Sequence, residues 1–367
     1  DRKLMGFVGM GKQSRGLLHN FLWRDVQVVA VCDVDTTRRT DAQKKAAEYY
    51  EKNPGKGSKD VAAVNDFREI TGRKDIDLVC IATPDHWHAV ITLAALRNGK
   101  DVYCEKPLTH NLHEAIEVIR GVDANGRVLQ TGSMQRSSKE FRIACELVRN
   151  GAIGKVERVE CSFSDPGVPC DLPGEPAEPG LDWNLWLGPA QERPYNSVLS
   201  PRGMHDHFPS WRNYREFGGG MVTDWGAHHL DIAQWGLGMD DSGPVEVRPP
   251  EKAGARRGAT LVYANGVTVT HSDGFGVHFF GTDGEVKVNR GRFALIVKGE
   301  TIASFEDKKD KDAQTSCAAE VAKAEKRFLA DAKRDVAAKL SQLGTGMALV
   351  STLQDKGVPS PVQETMI

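Results

Sequence analysis

Leu4-Met5-Gly6-Phe7-Val8-Gly9-Met10-Gly11-Lys12-Gln13-Ser14 decides how the rest of the chain is read. A short apolar run, then Gly-x-Gly, then a helical stretch from about Ser14 is the first strand-to-helix turn of a dinucleotide-binding sheet. The first glycine allows the tight turn, and the second lets the backbone approach a pyrophosphate. The helix then turns its free N–H groups and positive dipole end toward that anion. Gly-x-Gly alone is a weak signal, because glycine turns without nucleotides are common. The third glycine of the full pattern is replaced by Ser14, which is small enough for close helix–strand packing, and Gly16 follows. Gly9, Gly11, Lys12, Ser14 and Arg15 are the cofactor-binding residues expected from this turn.

Working outward, Gln27-Val28-Val29-Ala30-Val31-Cys32-Asp33 reads as a second strand ending in an acid. Asp33 falls where an adenosine ribose would present its hydroxyls. A carboxylate there accepts from both hydroxyls of NAD and repels a 2′-phosphate, so NAD is expected over NADP. Arg38 and Arg39 follow and can accommodate a phosphate, and the plain alternative for Asp33 is a strand-end turn former.

The 367 residues are too many for one ordinary core, so two domains are expected. With 40% hydrophobic and 27% charged residues, the composition is that of a globular protein. A formal net charge of −2 gives no electrostatic reason to expect nucleic acid. No apolar run reaches the ~20 residues that span a bilayer, so no membrane partner is expected. The 7 cysteines include no Cys-x-x-Cys pair, and Cys32, Cys80 and Cys104 fall in or beside apolar runs. They read as buried thiols rather than a disulfide framework or zinc site. The sequence begins at Asp1, directly before the first strand, which fits either a cytoplasmic protein or a periplasmic one whose export signal was removed.

Strands and helices alternate from Leu4 to about Thr131, which implies a parallel, doubly wound sheet. Asp77–Ala82 is a nearly continuous apolar run, as in a strand buried on both faces. Helices are expected over Leu17–Leu22, Asp41–Tyr50 and His88–Asn98, and Asp101–Cys104 and Val128–Thr131 read as further strands. An amphipathic helix over Lys139–Asn150 ends at Gly151, and Lys155–Ser164 alternates like a half-exposed strand. Pro166–Gly180 is irregular, and Asp224–Leu237 reads as a helix. Between Pro244 and Val297, strands are separated by turn signals such as Ala264-Asn265-Gly266 and Thr282-Asp283-Gly284. The Ala/Lys-rich stretch 315–343 reads as helical. The expected division is 1–133 for nucleotide binding and 134–367 for an α+β domain with a large, mostly antiparallel open sheet.

Three clusters carry chemistry. Thr83-Pro84-Asp85-His86-Trp87-His88 follows the fourth strand, at the carboxyl edge where such sheets bind ligands. Thr83, Pro84 and His88 are expected to border the cofactor, and a lone His-x-His lacks the further ligands of a metal site, so none is expected. Glu105-Lys106-Pro107 follows the fifth strand, and Lys106 is expected to project beside the nicotinamide with Glu105 next to it. A lysine there can polarise a carbinol or carbonyl oxygen; the alternative is a surface lysine paired with Glu105. The third cluster is Gly218-Gly219-Gly220-Met221-Val222-Thr223-Asp224-Trp225-Gly226-Ala227-His228-His229. Thr223 can cap a helix on which Asp224 and His228, four apart, share a face. A carboxylate beside an imidazole suits a general base; the alternative is a capped helix with an internal ion pair.

In order and spacing, Gly9–Gly11, Glu105-Lys106-Pro107 and the Gly218–His228 segment resemble the Gfo/Idh/MocA family, that of glucose–fructose oxidoreductase and inositol dehydrogenase. Gly132–Ser138 and Asp182–Pro189 resemble a subgroup frequent in Planctomycetes and Bacteroidetes. The resemblance covers about Leu4 to Gly291, and the segment beyond Asp307 departs from it. It implies an N-terminal Rossmann domain, a C-terminal open sheet that mediates homodimers or homotetramers, and NAD-dependent chemistry at a sugar or polyol carbon. The family's lysine, aspartate and histidine fall on Lys106, Asp224 and His228. Many relatives in the subgroup carry export signals.

The expected activity is therefore a sugar or polyol dehydrogenase. A redox-neutral glycosidase or lyase that oxidises a sugar carbon transiently before elimination shares the same motifs. A non-catalytic dinucleotide sensor would need only the nucleotide half. Trp183, His205, Trp211, Arg212 and Tyr214 are the candidate substrate residues, since aromatic faces stack on sugar C–H surfaces while charged groups read hydroxyls.

Overall fold

The structure is a computed structural model that describes residues 2–306. They form two compact units, the first built from 1–133 and 164–227, the second from 134–163 and the chain after 227. The helical expectation for 315–343 lies outside the described residues.

The first unit opens with β1 (Lys3–Val8), α1 (Lys12–Leu22), β2 (Val26–Cys32), α2 (Thr36–Lys52), β3 (Ala62–Val64) and α3 (Phe67–Thr71). It continues with β4 (Leu78–Ile81), α4 (Asp85–Arg97), β5 (Asp101–Cys104), α5 (Leu112–Asn125) and β6 (Leu129–Thr131). The strands form one 6-stranded sheet in the order β3-β2-β1-β4-β5-β6, and every pairing is parallel. This is the doubly wound order of a Rossmann fold, with its switch point between β1 and β4. Leu18 and Leu22 of α1 and Ala42, Ala46 and Tyr50 of α2 pack on one face. Ile70 of α3 and Ile91 and Leu96 of α4 pack on the other. The apolar runs read in the sequence are this double burial.

The expected strand Asp101–Cys104 is β5 residue for residue. Helix starts differ more. The helix expected from His88 begins at Asp85, because Pro84 supplies an extended N-cap and Asp85 occupies the first turn. Asp35 caps α2, accepting from the N–H groups of Thr37 and Arg38.

Residues 164–227 hold only α7 (Trp183–Leu187), a short 3-10 turn at Ser210–Asn213, and α8 (Met221–Asp224). Their interior is a small cluster of Trp186, Leu187, Leu199, Trp211 and Phe217. The segment is tied to the Rossmann sheet through backbone. Leu181 bridges to Asp35, the Thr36 N–H donates to Gly180 O at 2.9 Å, and Trp87 Nε1 donates to Leu185 O at 3.0 Å.

The second unit contains α6 (Lys139–Arg149), β7 (Val156–Ser162) and, from the helix after α8, α9 (Gly226–Gly236). Seven strands follow: β8 (Glu246–Arg248), β9 (Thr260–Val262), β10 (Thr268–Ser272), β11 (Val277–Gly281), β12 (Gly284–Asn289), β13 (Arg292–Val297) and β14 (Glu300–Glu306). They join β7 in an 8-stranded sheet ordered β14-β13-β12-β11-β7-β10-β9-β8, antiparallel except where β7 meets β10. Alternate residues of β10 and β11 are buried, as expected of a sheet with one covered face. Packing of α9 against β11 is tight, since a Cβ on Gly236 would stand 2.5 Å from the Phe279 ring. The turns read at 264–266 and 282–284 separate β9 from β10 and β11 from β12.

The helix expected over Asp224–Leu237 is two pieces, α8 and α9, broken at Trp225. Thr223 does not cap it. Thr223 lies inside α8 and its hydroxyl accepts from the Gly219 N–H at 2.9 Å, because Gly220 takes the N-cap position. Among the described residues, no helix is long and apolar enough to cross a membrane.

Candidate active site

A cleft lies at the carboxyl edge of the parallel sheet, at its switch point. Its floor is the turn after β1, with Gly9, Gly11 and Lys12, and the turn after β4, with Thr83, Pro84 and Trp87. Asp33 and Arg38 line one end, and Leu199, His205, Trp211 and Arg212 face them.

The floor fits a dinucleotide in three ways. Gly9 has φ +85°, and a Cβ there would stand 2.8 Å from the backbone of Ala82 and Thr83, so the turn requires glycine. A Cβ on Gly11 would meet nothing within 4 Å, which leaves the open cradle a pyrophosphate needs beside the N-terminus of α1. The buried Thr83 hydroxyl, also on the floor, has no hydrogen-bond partner in the protein. Asp33 is buried, and its carboxylate accepts from Met10 N at 2.6 Å and from Asp35 N at 2.8 Å. Burial raises its pKa despite Arg38 nearby. Asp33 thus holds the glycine turn against the end of β2 as well as facing the cleft.

Beyond the floor stands a cluster of four ionisable side chains. The Lys106 ammonium is bonded to the Asp224 carboxylate and donates to Asp224 O at 2.9 Å. Arg212 Nε lies 3.5 Å from the other Asp224 oxygen, and its guanidinium stacks 4.2 Å from the Trp211 ring. Arg212 therefore joins the lysine–aspartate pair to the cleft lining. Burial pulls the Arg212 pKa below its usual value, while Asp224, Asp85 and Glu105 pull it back. The fourth member, Asp85, was not singled out in the sequence. It is 4% exposed, and burial pushes its pKa from 3.8 up to about 8, against the pull of Arg212 and Lys106. One Asp85 oxygen stands 3.0 Å from where a Gly218 Cβ would be, so a glycine at 218 lets this segment pass close to the carboxyl.

The remaining expected residues are not among those lining the cleft. His88 is buried with Nδ1 at 2.7 Å from Pro107 O and Nε2 at 3.0 Å from Thr83 O. It ties the turn after β4 to the turn that carries Lys106, and burial drops its pKa to about 4. The Lys106–Pro107 peptide is cis. Glu105 is buried and accepts from Gln13 Nε2 and Tyr103 OH, both at 3.2 Å. Ser14 is fully buried against Met10, and Arg15 reaches His205 O at 2.6 Å. Trp183 stacks on Trp186 at 4.7 Å, and Tyr214 packs against the same aromatic cluster. His228 belongs to the second unit and is buried. Beside it, His229 sets Nδ1 2.6 Å from Ser162 O, a structural bond.

Two family models agree with this architecture. Residues 3–133 match an oxidoreductase family, NAD-binding Rossmann fold, and residues 153–315 match its C-terminal alpha/beta domain. The chain belongs to the Gfo/Idh/MocA family of oxidoreductases and carries its NAD-binding Rossmann domain. Residues 312–367 match a third model, helicase HerA-like C-terminal, and lie outside the described residues. Among similar proteins is the 1,5-anhydro-D-fructose reductase of Ensifer adhaerens, 27% identical over 71% of this chain and 67% of that protein. The glycosyl hydrolase family 109 protein 2 of Shewanella sp. (strain ANA-3) is 26% identical over 44% of this chain, a match spanning only 35% of its own length. An inositol dehydrogenase homolog from Azotobacter vinelandii, solved with NADH and myo-inositol, shares the fold with a TM-score of 0.53. It is 20% identical, and the match covers 83% of this chain and 76% of that one.

Proposed function

We propose that the protein transfers a hydride between a sugar or polyol carbinol and NAD, with Lys106, Asp224 and His228 as its catalytic residues. The carrying observation is the bonded Lys106–Asp224 pair, linked through Arg212 to a cleft whose floor suits a dinucleotide. Bound there, the nicotinamide supplies the hydride acceptor or donor. Lys106 holds the substrate oxygen and stabilises charge that develops on it. Asp224 orients the ammonium. His228 is the general base that takes the hydroxyl proton. Arg212, on its Trp211 platform, contributes a hydrogen-bonding fork for neighbouring hydroxyls. The phosphate set is Gly9, Gly11 and Lys12, with Ser14, His88 and Glu105 holding the surrounding turns. We assign residues 1–133 to the nucleotide and 134–367 to substrate and to homodimer or homotetramer formation.

A second reading has a specific observation behind it. The similarity to a glycosyl hydrolase family 109 protein supports a redox-neutral reaction, in which the sugar carbon is oxidised transiently and reduced again after elimination. Lys106 and His228 would have the same duties in either case.

Kinetics of single variants test the assignment. With a sugar or polyol that the native protein converts, Lys106→Ala and His228→Ala should each lower turnover by about 10²–10⁴. NAD affinity should stay within about threefold. Near-native turnover in both variants would remove these residues from the chemistry.

A further inference from the structure

The segment 199–209 crosses the mouth of the nucleotide cleft as a strap, and it is fastened at both ends of that mouth. At the adenosine end the fastening is Asp35. One oxygen of this fully buried carboxylate caps α2, accepting from Thr37 N at 2.8 Å and Arg38 N at 3.2 Å. The other oxygen accepts from Gly203 N at 3.1 Å and is bonded to the Arg202 guanidinium. Burial would raise the Asp35 pKa, but the Gly203 N–H, Arg38 and Arg202 outweigh it and hold the carboxyl below the usual range. At the pyrophosphate end, Arg15 donates to His205 O at 2.6 Å and pairs with Asp206 at 3.1 Å, and Lys12 bonds to Asp206 O.

The same strap engages the cation that a 2′-phosphate would need. Arg38, at the cleft wall, donates to Gly203 O at 3.1 Å and to Pro201 O. Its neighbour Arg39 is bonded to Asp33 O and to Asn65 Oδ1, both at 3.0 Å. Both arginines that the sequence offers for a 2′-phosphate are committed to protein acceptors, and Asp33 adds a carboxylate beside them.

We propose that the strap, fastened by the Asp35–Arg202 pair, is a latch that retains NAD in the cleft and excludes NADP. The inference rests on the cleft being the NAD site. Its two consequences have one cause: opening the strap both frees the nucleotide's exit and releases Arg38 from its carbonyl partners. A retained nucleotide suits a reaction that returns its hydride within one turnover, or one in which a second substrate reoxidises the cofactor in place.

The test uses the full chain and measures NADH release by stopped-flow fluorescence, with calorimetric affinities for NAD and NADP. Arg202→Ala removes the ion pair of the Asp35 fastening without touching the cleft floor. Release should quicken by about tenfold or more, and the NAD-to-NADP affinity ratio should narrow by a similar factor. Release or ratio unchanged in folded Arg202→Ala overturns the latch. If that variant does not fold, Gly203→Ala replaces it. Gly203 has φ +68°, which strains alanine, while its Cβ would meet nothing nearer than Thr37 Cγ2 at 4.0 Å. The native chain provides an independent measurement. Hydrogen exchange at the Gly203 amide should slow on NADH binding, and NADH should never leave faster than that amide opens. Exchange that ignores NADH also overturns the proposal. A chain that binds neither nucleotide would instead contradict the cleft assignment itself.

Discussion

At the scale of single residues, the site is a problem of placing four ionisable groups in a largely buried setting. Two cations, Lys106 and Arg212, stand against Asp224, and Asp85 completes the group from the first turn of α4. A buried carboxyl with a pKa of about 8, where 3.8 is usual, makes a directional prediction. Between those values the folded chain carries a proton that the unfolded chain lacks. This contribution to stability is fully present below about 4 and is lost as pH rises through about 8. His86 and His88 act oppositely, since burial drops both to about 4 and their contribution is lost as pH falls below the usual 6.5. Asp85→Asn isolates the carboxyl. Relative to native protein, the variant should be less stable at pH 5 than at pH 8.5, read as urea midpoints at the two values. A pH-independent difference would mean that Asp85 is ionised throughout. Lys106 and Asp224 were legible in the sequence because each stands beside a recognisable punctuation, a proline just after Lys106 at the end of a strand and a glycine run ahead of Asp224. Asp85 was not, because an acid in a first helical turn is ordinary. Its burial comes from Arg212 and Gly218, remote in sequence.

At the scale of elements, the strands of the Rossmann sheet were the most legible part. Runs such as Leu78–Ile81 and Asp101–Cys104 are apolar because helices cover both sheet faces. The helix of the third cluster was misread by three residues, because Gly218–Gly220 looks like loop until its contacts are known. Gly220 has φ +70°, and a Cβ there would stand 2.2 Å from Gly167 N. Neither strain nor clash can relax through a side chain, since the neighbour is backbone. Gly220→Ala should therefore cost roughly 1–3 kcal/mol or more and displace Asp224 four residues on. A thermal melt and NAD calorimetry together check it. Lower stability with NAD affinity kept within a few-fold is the expected pair of results. Unchanged stability would mean that the 166–167 backbone gives way freely. The strap at 199–209 left no trace in hydrophobic periodicity. It is held by carbonyls and by Asp35 and Arg202, and backbone acceptors have no sequence signature.

At the scale of the whole molecule, the parallel sheet and the mostly antiparallel sheet were both readable, from strand–helix alternation and from turn-separated strands. The grouping of residues 164–227 with the Rossmann sheet was not, because it rests on single bonds such as Thr36 to Gly180 rather than on pattern. NAD binding should stabilise the native chain by about 2.7 kcal/mol at one hundred times its dissociation constant, visible as a raised melting temperature. The central claim is that this cleft carries carbinol oxidation with NAD at Lys106. Its most direct test mixes stoichiometric native protein and NAD with a panel of sugars and polyols, following reduced nicotinamide absorbance over a single turnover. The account predicts that at least one panel member produces reduced nicotinamide, persisting for a dehydrogenase and passing for a redox-neutral enzyme, with the signal slowed by about 10²–10⁴ in Lys106→Ala. Conversion of a substrate with no reduced nicotinamide at any time, or a signal of native rate in Lys106→Ala, would contradict it.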